Sequence, residues 1–470
     1  MDTAKINRMV ETTLEDWGIP GAAIAVVRGD GTYVKGYGVR EIGKPEPVTP
    51  DTLFAIGSLS KAFTATAIGI LVGERKMAWD DPVRKHLPGF RLSDPLADAN
   101  VTIRDLLAHR TGLGRNELLY FNVEAYEPDD FIRRIGLLSP DVPFRSAYRY
   151  NNMLYYVAGM AAGAANGGSW DDLVRTRILE PLGMSRTRLS RDIGDAADSA
   201  SPHSWRDGAV PVPRFTDCNL SPAGSTNTSA DELSRWLRFQ LGDGTFQGRR
   251  VISKDNFEET HTAQMVMPVD DVAREHAGTS MASYCLGWMI SDYRETTILS
   301  HGGEVRGFNA TATLVPRAGA GLVVLTNLNR WPATTALTNA LLDHLLGLPE
   351  KDWNSLLTSV EEEKEAEKRE RKRVEGTRPS RDLADYAGSY ENEAYGPATV
   401  SLDGEALTFA WGLHSLGLLH LHFDTFVAQL ESFDELALTV RFALDADGEV
   451  VAARLTAPEA GVDREFIRIR

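Results

Sequence analysis

Apolar residues recur with two different periods along this chain of 470 residues. Residues 1–348 mix helical spacing with short apolar runs, whereas residues 383–470 alternate apolar and polar positions almost throughout. Between them, residues 361–373 are all charged except Ala366, and glutamates four positions before cations favour a solvated helix. We therefore predict a first domain at 1–348, a charged helical linker at 349–382 and a β domain at 383–470.

The first domain begins and ends with predicted strands. An amphipathic helix at 4–17 precedes two apolar strands joined by Gly29-Asp30-Gly31, which is typical of a hairpin. A helical pattern runs from Ser58 to Leu71, and helices and loops continue to about residue 290. Three short strands follow between residues 296 and 327, before a closing helix at 331–347. This order predicts an α+β domain whose sheet is assembled from both ends, with a helical insert.

The last domain has the pattern of a small all-β fold. Its alternating runs are separated by Asp403-Gly404 and Asp447-Gly448, which are turn-forming pairs. Short strands at this spacing predict an antiparallel barrel or sandwich. We also predict that this module acts as a lid or an oligomerisation surface near the cleft, because an appended β module narrows access to a site.

Composition excludes several classes of function. Lys and Arg number 50 against 66 Asp and Glu, and the net charge of −16 disfavours nucleic-acid and anionic-membrane partners. Two cysteines, Cys218 and Cys285, exclude a disulfide scaffold and a Cys-rich metal site, and two separate thiols are favoured over a pair. With no apolar run of membrane-spanning length and no signal-peptide pattern, we expect a soluble cytoplasmic protein, or an exported one that has lost its signal.

Ser58-Leu59-Ser60-Lys61 is the first candidate for chemistry. On a helix that begins at Ser58, the ammonium of Lys61 lies one turn later on the same face. A serine hydroxyl becomes a strong nucleophile when a neighbouring base takes its proton, and a lysine does so once burial or nearby cations favour its neutral form. Taken alone, a Ser-x-x-Lys spacing also arises by chance in a chain of this length.

Two later segments offer complementary groups. Tyr150 and Asn152 supply a phenol that relays protons and an amide that holds a carbonyl or the lysine, although such residues also serve in turns and packing. His301-Gly302-Gly303 falls on a predicted strand, where glycines let a substrate backbone approach and a backbone N–H completes an oxyanion hole. The alternative for this second segment is a glycine-rich strand end with a surface histidine.

These three segments, in this order, resemble the Ser-x-x-Lys, Tyr-x-Asn and Lys/His-x-Gly boxes of the serine β-lactamase and penicillin-binding-protein superfamily. The resemblance covers about residues 5–348 and is closest to the branch of class C β-lactamases, D-aminopeptidases and related esterases. Residues 385–400 resemble the lipocalin-like module of some of these hydrolases. Further similar segments are LLAHRTGL (106–113), AGSTNTSADELSRW (223–236), YCLGWMI (284–290) and GLVVLTN (321–327).

The resemblance implies a fold and a role for each site residue. It implies a β-lactamase-like antiparallel sheet flanked by helices, followed by a lipocalin-like barrel. Ser58 would be the acylated nucleophile, Lys61 its base partner and Tyr150 the proton shuttle. In the substrate-binding set, Asn152 would contact substrate and lysine, His301 would replace the third-box lysine, Gly303 would let substrate approach, and the N–H groups of Ser58 and Glu304 would form the oxyanion hole.

The third box departs from the form most penicillin-recognising members carry, Lys-Thr-Gly. Gly302 has no hydroxyl, and we expect His301 to be only partly charged near pH 7. Arg306 could restore a cation, and the alternative for it is an ordinary surface arginine. We therefore expect a serine hydrolase that cleaves short peptides or amides, above all those with D-amino acids, or small esters. The alternatives are a β-lactamase that hydrolyses penicillins and cephalosporins, and a penicillin-binding sensor that is acylated without turnover.

The expected partners are a small-molecule or short-peptide substrate and, as an alternative to a monomer, further copies of the chain. His420 and His422 share one face of a predicted strand, but with no evident third ligand we expect no metal there. No Gly-x-Ser-x-Gly elbow and no phosphate-binding glycine loop is present, so we expect neither an α/β-hydrolase nor a cofactor.

Overall fold

A computed structural model describes residues 1–193, 196–216, 220–369, 374–429, 437–458 and 461–469. Cys218 and residues 370–373 of the charged linker lie outside this part of the chain. Cys285 is a buried thiol. The described residues form two compact units: residues 1–88, 99–112 and 142–363 in the first, and residues 89–98, 113–141 and 364–470 in the second.

The helices of the described chain are α1 (Thr3–Trp17), α2 (Ser60–Gly73), α3 (Pro95–Asn100), α4 (Ile103–Leu107), α5 (Glu117–Phe121), α6 (Pro128–Ile135), α7 (Asn152–Asn166), α8 (Trp170–Val174), α9 (Glu180–Leu182), α10 (Ser221–Gly224), α11 (Ala230–Leu241), α12 (Lys254–His261), α13 (Asp271–His276), α14 (Trp331–Leu346), α15 (Trp353–Arg369) and α16 (Leu383–Tyr386). Short 3-10 turns occur at Gly57–Leu59, Val83–Lys85, Val123–Ala125 and Pro316–Ala318, and a π turn at Arg175–Leu179.

The strands of the first unit are β1 (Gly21–Arg28), β2 (Gly31–Gly38), β3 (Phe54–Ala55), β4 (His203–Trp205), β5 (Ala209–Pro211), β6 (Asn227–Thr228), β7 (Thr245–Phe246), β8 (Arg249–Arg250), β9 (Met265–Met267), β10 (Ala282–Tyr284), β11 (Met289–Tyr293), β12 (Thr296–Val305), β13 (Phe308–Val315) and β14 (Ala320–Thr326). Those of the second are β15 (Gly388–Asn392), β16 (Gly396–Asp403), β17 (Ala406–Trp411), β18 (His414–His422), β19 (Thr425–Gln429), β20 (Ala437–Leu444), β21 (Val450–Ala457) and β22 (Val462–Ile469).

An antiparallel sheet in the order β2-β1-β14-β13-β12-β11-β10-β9 organises the first unit. The pairing of β1 with β14, in which Ile24 faces Val324, joins the two ends of the predicted domain. This pairing confirms the α+β prediction. The strands that follow α12, β9 to β11, extend the sheet beyond β12, and the sequence pattern did not indicate them.

Helices cover both faces of this sheet. Ile24 and Val26 of β1 share one hydrophobic core with residues of α1 and α14, such as Leu341. Alternate positions point the opposite way, and a Cβ built on Gly321 would lie 3.4 Å from Leu237 of α11. Because β1 is therefore buried on both faces, its sequence is continuously apolar rather than alternating.

Helix α2 lies wholly inside the first unit. Its residues from Ser60 to Leu71 are buried on every side, and it packs against α7, α10 and α12. A helix that is buried on every side, with no face turned to solvent, lies in an interior of this kind. Helix α2 therefore holds a rigid position from which the preceding turn, Gly57–Leu59, presents Ser58.

Strands β15 to β22 close into an antiparallel barrel in chain order, which confirms the predicted all-β fold of the C-terminal region. Burial alternates along β16 and β22, as expected for strands with one face inside the barrel. Aromatic side chains meet there edge to face, with Phe409 and Phe466 centroids 5.6 Å apart and Phe426 and Phe442 centroids 5.7 Å apart. The barrel interior is therefore a packed core.

Residues 113–141 form one unit with the barrel, although the sequence places them inside the predicted first domain. Leu413 donates its backbone N–H to Asn122 Oδ1 at 2.7 Å, and the Tyr126 hydroxyl donates to the carbonyl of Tyr395 at 3.0 Å. Arg134 also donates to the carbonyl of Ala394 at 3.0 Å. The barrel is thus hydrogen-bonded along this excursion of the chain. The predicted boundaries at 348 and 382 stay predictions.

Candidate active site

The candidate nucleophile sits on a tight turn that only glycine can begin. Gly57 adopts φ +51°, and a Cβ there would lie 2.7 Å from the backbone N of Glu304. Ser60 holds the turn by donating its hydroxyl to the carbonyl of Gly57 at 2.7 Å. Ser58 lies in this 3-10 turn rather than in the predicted α-helix, yet Lys61 still follows one turn later. The Ser58 side chain is half-buried.

Lys61 is completely buried and bonded at its ammonium. Nζ donates to Ser58 Oγ at 2.9 Å, to Asn152 Oδ1 at 2.7 Å and to the carbonyl of Ala223 at 2.7 Å. These three neutral acceptors match the three protons of an ammonium. Loss of one proton frees a lone pair toward Ser58, while Asn152 and Ala223 keep the amine in position.

Tyr150 reaches the same serine from the other side. Its hydroxyl donates to Ser58 Oγ at 2.6 Å, and the Lys61 Nζ lies 4.7 Å from the centre of its ring. Asn151 caps α7 by accepting from Leu154 N at 3.0 Å. This cap ends the extended segment at Tyr150 and begins the helix at Asn152, so that both side chains face Ser58.

His109 contacts the segment that carries Tyr150 and Asn151. The backbone N–H of Asn151 donates to its Nδ1 at 3.1 Å, and its ring lies 4.4 Å from that of Tyr150 between centroids. A φ of +54° at His109 aims the ring at the turn. The sequence did not indicate His109 as a site residue, although it lies in the segment at 106–113 that resembles the superfamily.

The third box lies against the turn of the nucleophile. A Cβ on Gly303 would come within 1.9 Å of the carbonyl oxygen of Ile56, so only glycine permits this approach. Through the same approach, the backbone N of Glu304 lies beside Gly57, immediately before Ser58. The side chain of Glu304 is exposed. Only its backbone is therefore suited to an oxyanion hole with the N–H of Ser58.

His301 is buried beside this site and neutral. Burial and then the charge of Lys61 lower the pKa of His301 from 6.5 to about 3. Its Nδ1–H donates to the carbonyl of Gly302 at 2.6 Å, and the Tyr284 hydroxyl donates to its Nε2 at 3.0 Å. The expectation of a partial charge near pH 7 is wrong, because one ring nitrogen donates and the other accepts a hydrogen bond, which is the pattern of a neutral imidazole. His301 provides packing and hydrogen bonding where Lys-Thr-Gly provides a cation.

A cluster of tyrosines surrounds the candidate site. Tyr155 donates to the carbonyl of Leu107 at 2.7 Å, and its ring centre lies 5.4 Å from Lys61 Nζ. Burial raises the pKa of both Tyr155 and Tyr284 well above the ordinary value, so both remain neutral phenols. The sequence did not identify either as part of the site.

The structure brings Ser58, Lys61, Tyr150 and Asn152 into one hydrogen-bonded group, with Gly303 and Glu304 at its edge. Within the described residues, no group of three His, Cys, Asp or Glu side chains is arranged to hold a metal. His420 instead bonds through Nε2 to the carbonyl of Phe423 at 2.9 Å. No helix in the described part of the chain is long and apolar enough to cross a membrane.

Comparisons with known proteins agree with this geometry. The family model described as Beta-lactamase matches residues 6–346, which is most of the chain. The chain belongs to the beta-lactamase family. A second family model, described as a domain of unknown function (DUF3471), matches residues 372–468. The protein is accordingly a serine hydrolase of the beta-lactamase family with a C-terminal β-barrel domain.

Two curated proteins illustrate the similarity in sequence. "Unguisins hydrolase ungD'" of Aspergillus campestris is 31% identical over an alignment of 422 residues, which covers 84% of this chain and 77% of that protein. "Protein flp" of Staphylococcus aureus (strain N315) is 25% identical over 69% of this chain and 63% of its own length.

Solved structures share the fold. The octameric penicillin-binding protein homologue from Pyrococcus abyssi has a TM-score of 0.66 at 20% identity, covering 99% of this chain and 100% of that one. A class C beta-lactamase has a TM-score of 0.61 at 20% identity, covering 74% and 96%. SurE solved with D-Leu has a TM-score of 0.58 at 22% identity, covering both chains completely.

Proposed function

We propose that this family member cleaves short peptides or amides containing D-amino acids, or small esters, through an acyl-enzyme on Ser58. One observation carries the proposal: Ser58 Oγ lies 2.9 Å from Lys61 Nζ and 2.6 Å from the Tyr150 hydroxyl. A nucleophile, a base and a proton relay within hydrogen-bond reach are the minimum set for acyl transfer.

Acylation begins with Lys61 in its neutral form. The amine takes the proton of the Ser58 hydroxyl as Oγ bonds to the substrate carbonyl carbon, and the resulting oxyanion accepts hydrogen bonds from the N–H groups of Ser58 and Glu304. The ammonium of Lys61 then supplies a proton through Tyr150 to the leaving nitrogen or oxygen. The bond from the carbonyl carbon to that atom breaks, which leaves an ester on Ser58 and a neutral Lys61.

Deacylation repeats these steps with water. Tyr150 and Lys61 take a proton from the attacking water, whose oxygen bonds to the ester carbon and forms a second oxyanion. Collapse of this intermediate breaks the bond to Ser58 Oγ, which regains its proton from Lys61. A carboxylic acid leaves, and no cofactor enters the balance.

The choice of substrate rests on the third box and on the relatives. The buried, neutral His301 supplies no cation for the carboxylate of a penicillin or cephalosporin. One similar protein is named for hydrolysis of unguisins, and one similar structure was solved with D-Leu. The first name agrees with a hydrolase, and the second agrees with a substrate that carries a D-amino acid.

A substrate panel with Ser58→Ala as its control tests the proposal. We expect Ser58-dependent turnover of D-aminoacyl amides or p-nitrophenyl esters that exceeds turnover of nitrocefin. Faster nitrocefin hydrolysis would favour a β-lactamase, and intact mass spectrometry showing a lasting penicillin adduct without turnover would favour a sensor. Turnover that survives in Ser58→Ala would refute the acyl-enzyme.

A further inference from the structure

An indole ring occupies the space that a side chain at position 302 would need. A Cβ built on Gly302 would lie 2.0 Å from the Cη2 atom of Trp331 and 2.8 Å from its Cζ2. The ring covers the strand between His301 and Gly303, on the face opposite their Cβ atoms. Trp331 begins α14, and the residue is 41% exposed. The glycine and the tryptophan are therefore complementary in shape, and part of the tryptophan stays open to solvent.

Trp331 has a firmly held backbone. The preceding Arg330 lies with its guanidinium carbon 4.8 Å from the ring centre of Trp17 and 4.4 Å from that of Trp205, and it also forms an ion pair with Glu361. Such cation–π contacts restrain the arginine and hence the first turn of α14. Because the backbone of Trp331 is held in this way, less of the chain has to become ordered when a ligand binds at its ring.

This surface adjoins the path that a substrate takes along β12. The pairing of β11 with β12 ends at Met289 and Ser300, so beyond Ser300 the edge of β12 has no partner strand among those described. A substrate whose carbonyl oxygen meets the backbone N of Glu304 runs along this edge. Two residues of strand span about 7 Å, which is within the reach of a short peptide or an ester side group.

We propose that Trp331 determines specificity by binding an uncharged apolar or aromatic group of the substrate beside Gly302. The chemistry of positions 301–303 supports this assignment, because His301 is neutral and the two glycines carry no hydroxyl. A carboxylate placed against an indole and two glycines loses hydration without gaining a charged partner. The proposal rests on the acyl-enzyme function described above and defines its substrate class.

Two matched pairs of esters test the proposal on either side of the scissile bond. One pair varies the acyl group: p-nitrophenyl phenylacetate and mono-p-nitrophenyl succinate. The other varies the leaving group: p-tolyl acetate and p-carboxyphenyl acetate. For each pair we measure the ratio of kcat/KM for the aromatic or apolar member to that for the carboxylate member. In Trp331→Ala we expect at least one ratio to fall about 3- to 10-fold, the range for loss of an aromatic contact; Trp331→Phe should retain most of it.

Two further variants sharpen the result. Phe423→Ala removes another exposed aromatic, on the barrel, and should leave both ratios unchanged. Gly302→Thr added to Trp331→Ala places a hydroxyl in the vacated space, and we expect it to raise kcat/KM for the carboxylate member above that of Trp331→Ala alone. If both ratios stay unchanged in Trp331→Ala while hydrolysis still depends on Ser58, the role proposed for Trp331 is refuted and the acyl-enzyme function is not. If Ser58→Ala hydrolyses all four esters as the wild type does, the proposed function fails and the inference with it.

Discussion

Replacing Gly303 by alanine tests the geometry of the candidate site with a single methyl group. The added Cβ would lie 1.9 Å from the carbonyl oxygen of Ile56, whereas carbon and oxygen ordinarily approach to about 3.3 Å. The strand and the turn must therefore separate by about 1.4 Å, the difference between these two distances. In the proposed mechanism the next residue, Glu304, donates its N–H to the oxyanion, so this separation would weaken one of the two donors. We expect kcat to fall about 10²- to 10³-fold, as when one oxyanion-hole donor is lost.

Steady-state hydrolysis of a p-nitrophenyl ester measures the effect of Gly303→Ala. Gly417→Ala is a matched control, because it is the same substitution in a strand and its Cβ would meet nothing within 4 Å. Far-ultraviolet circular dichroism and the thermal midpoint show that each variant is folded at the assay temperature. A folded Gly303→Ala protein with the kcat of the wild type would refute the close approach of β12 to the Gly57–Leu59 turn as the source of catalysis.

Three further predictions concern the relay, pH and the barrel. Tyr150→Phe should lower kcat about 10²- to 10⁴-fold, the usual contribution of a positioned acid–base group, and unchanged kcat would remove Tyr150 from the relay. The pKa of His301 is lowered from 6.5 to about 3, so below pH 6.5 the unfolded chain takes up a proton that the folded chain excludes. Lowering the pH from 7 to 5 should therefore reduce the free energy of unfolding by about 2 kcal/mol through this residue. Denaturant titrations of His301→Gln should show a decrease that is smaller by that amount. An equal decrease in the variant and the wild type would contradict the burial of His301. Deleting residues 374–470 should expose residues 113–141 to limited proteolysis, since their hydrogen-bond acceptors and donors at Ala394, Tyr395 and Leu413 are lost; unchanged substrate-size limits and oligomer mass would refute the lid and oligomerisation predictions.

Local patterns carried most of the prediction of the fold. Helix α1 at Thr3–Trp17 and the hairpin of β1 and β2 are where periodicity and the Gly29-Asp30-Gly31 turn placed them. Pairing of β1 with β14 followed from apolar strands at both ends of a helical region. The short strands β9 and β10 gave no such signal, because three residues are too few for a period of two to be distinguished from a loop.

Part of the chemistry of the candidate site could also be predicted from the sequence. Ser58, Lys61, Tyr150 and Asn152 carry groups whose reactivity is defined by residue type and spacing, and the structure brings them together. The protonation state of His301 could not be predicted from the sequence, because it depends on burial and on contacts with residues that are remote in sequence. Tyr284 precedes it by 17 residues on another strand, and Lys61 lies 240 residues earlier. A histidine in a glycine-rich strand therefore gives no sign of its charge.

The association of residues 113–141 with the barrel could not be predicted either, because it also depends on contacts between residues that are remote in sequence. Asn122 is 291 residues from Leu413, to which it is hydrogen-bonded, and Tyr126 is 269 residues from Tyr395. Each of these bonds uses a backbone group at one end, so side-chain patterning in the barrel sequence holds no trace of it. A Cβ on Gly412 would lie 1.9 Å from Asn122 Oδ1, which ties this glycine to the contact as firmly as Gly303 is tied to Ile56. The barrel and residues 113–141 are consequently parts of one compact unit, in which the turn at Gly412 leaves room for the side chain of Asn122.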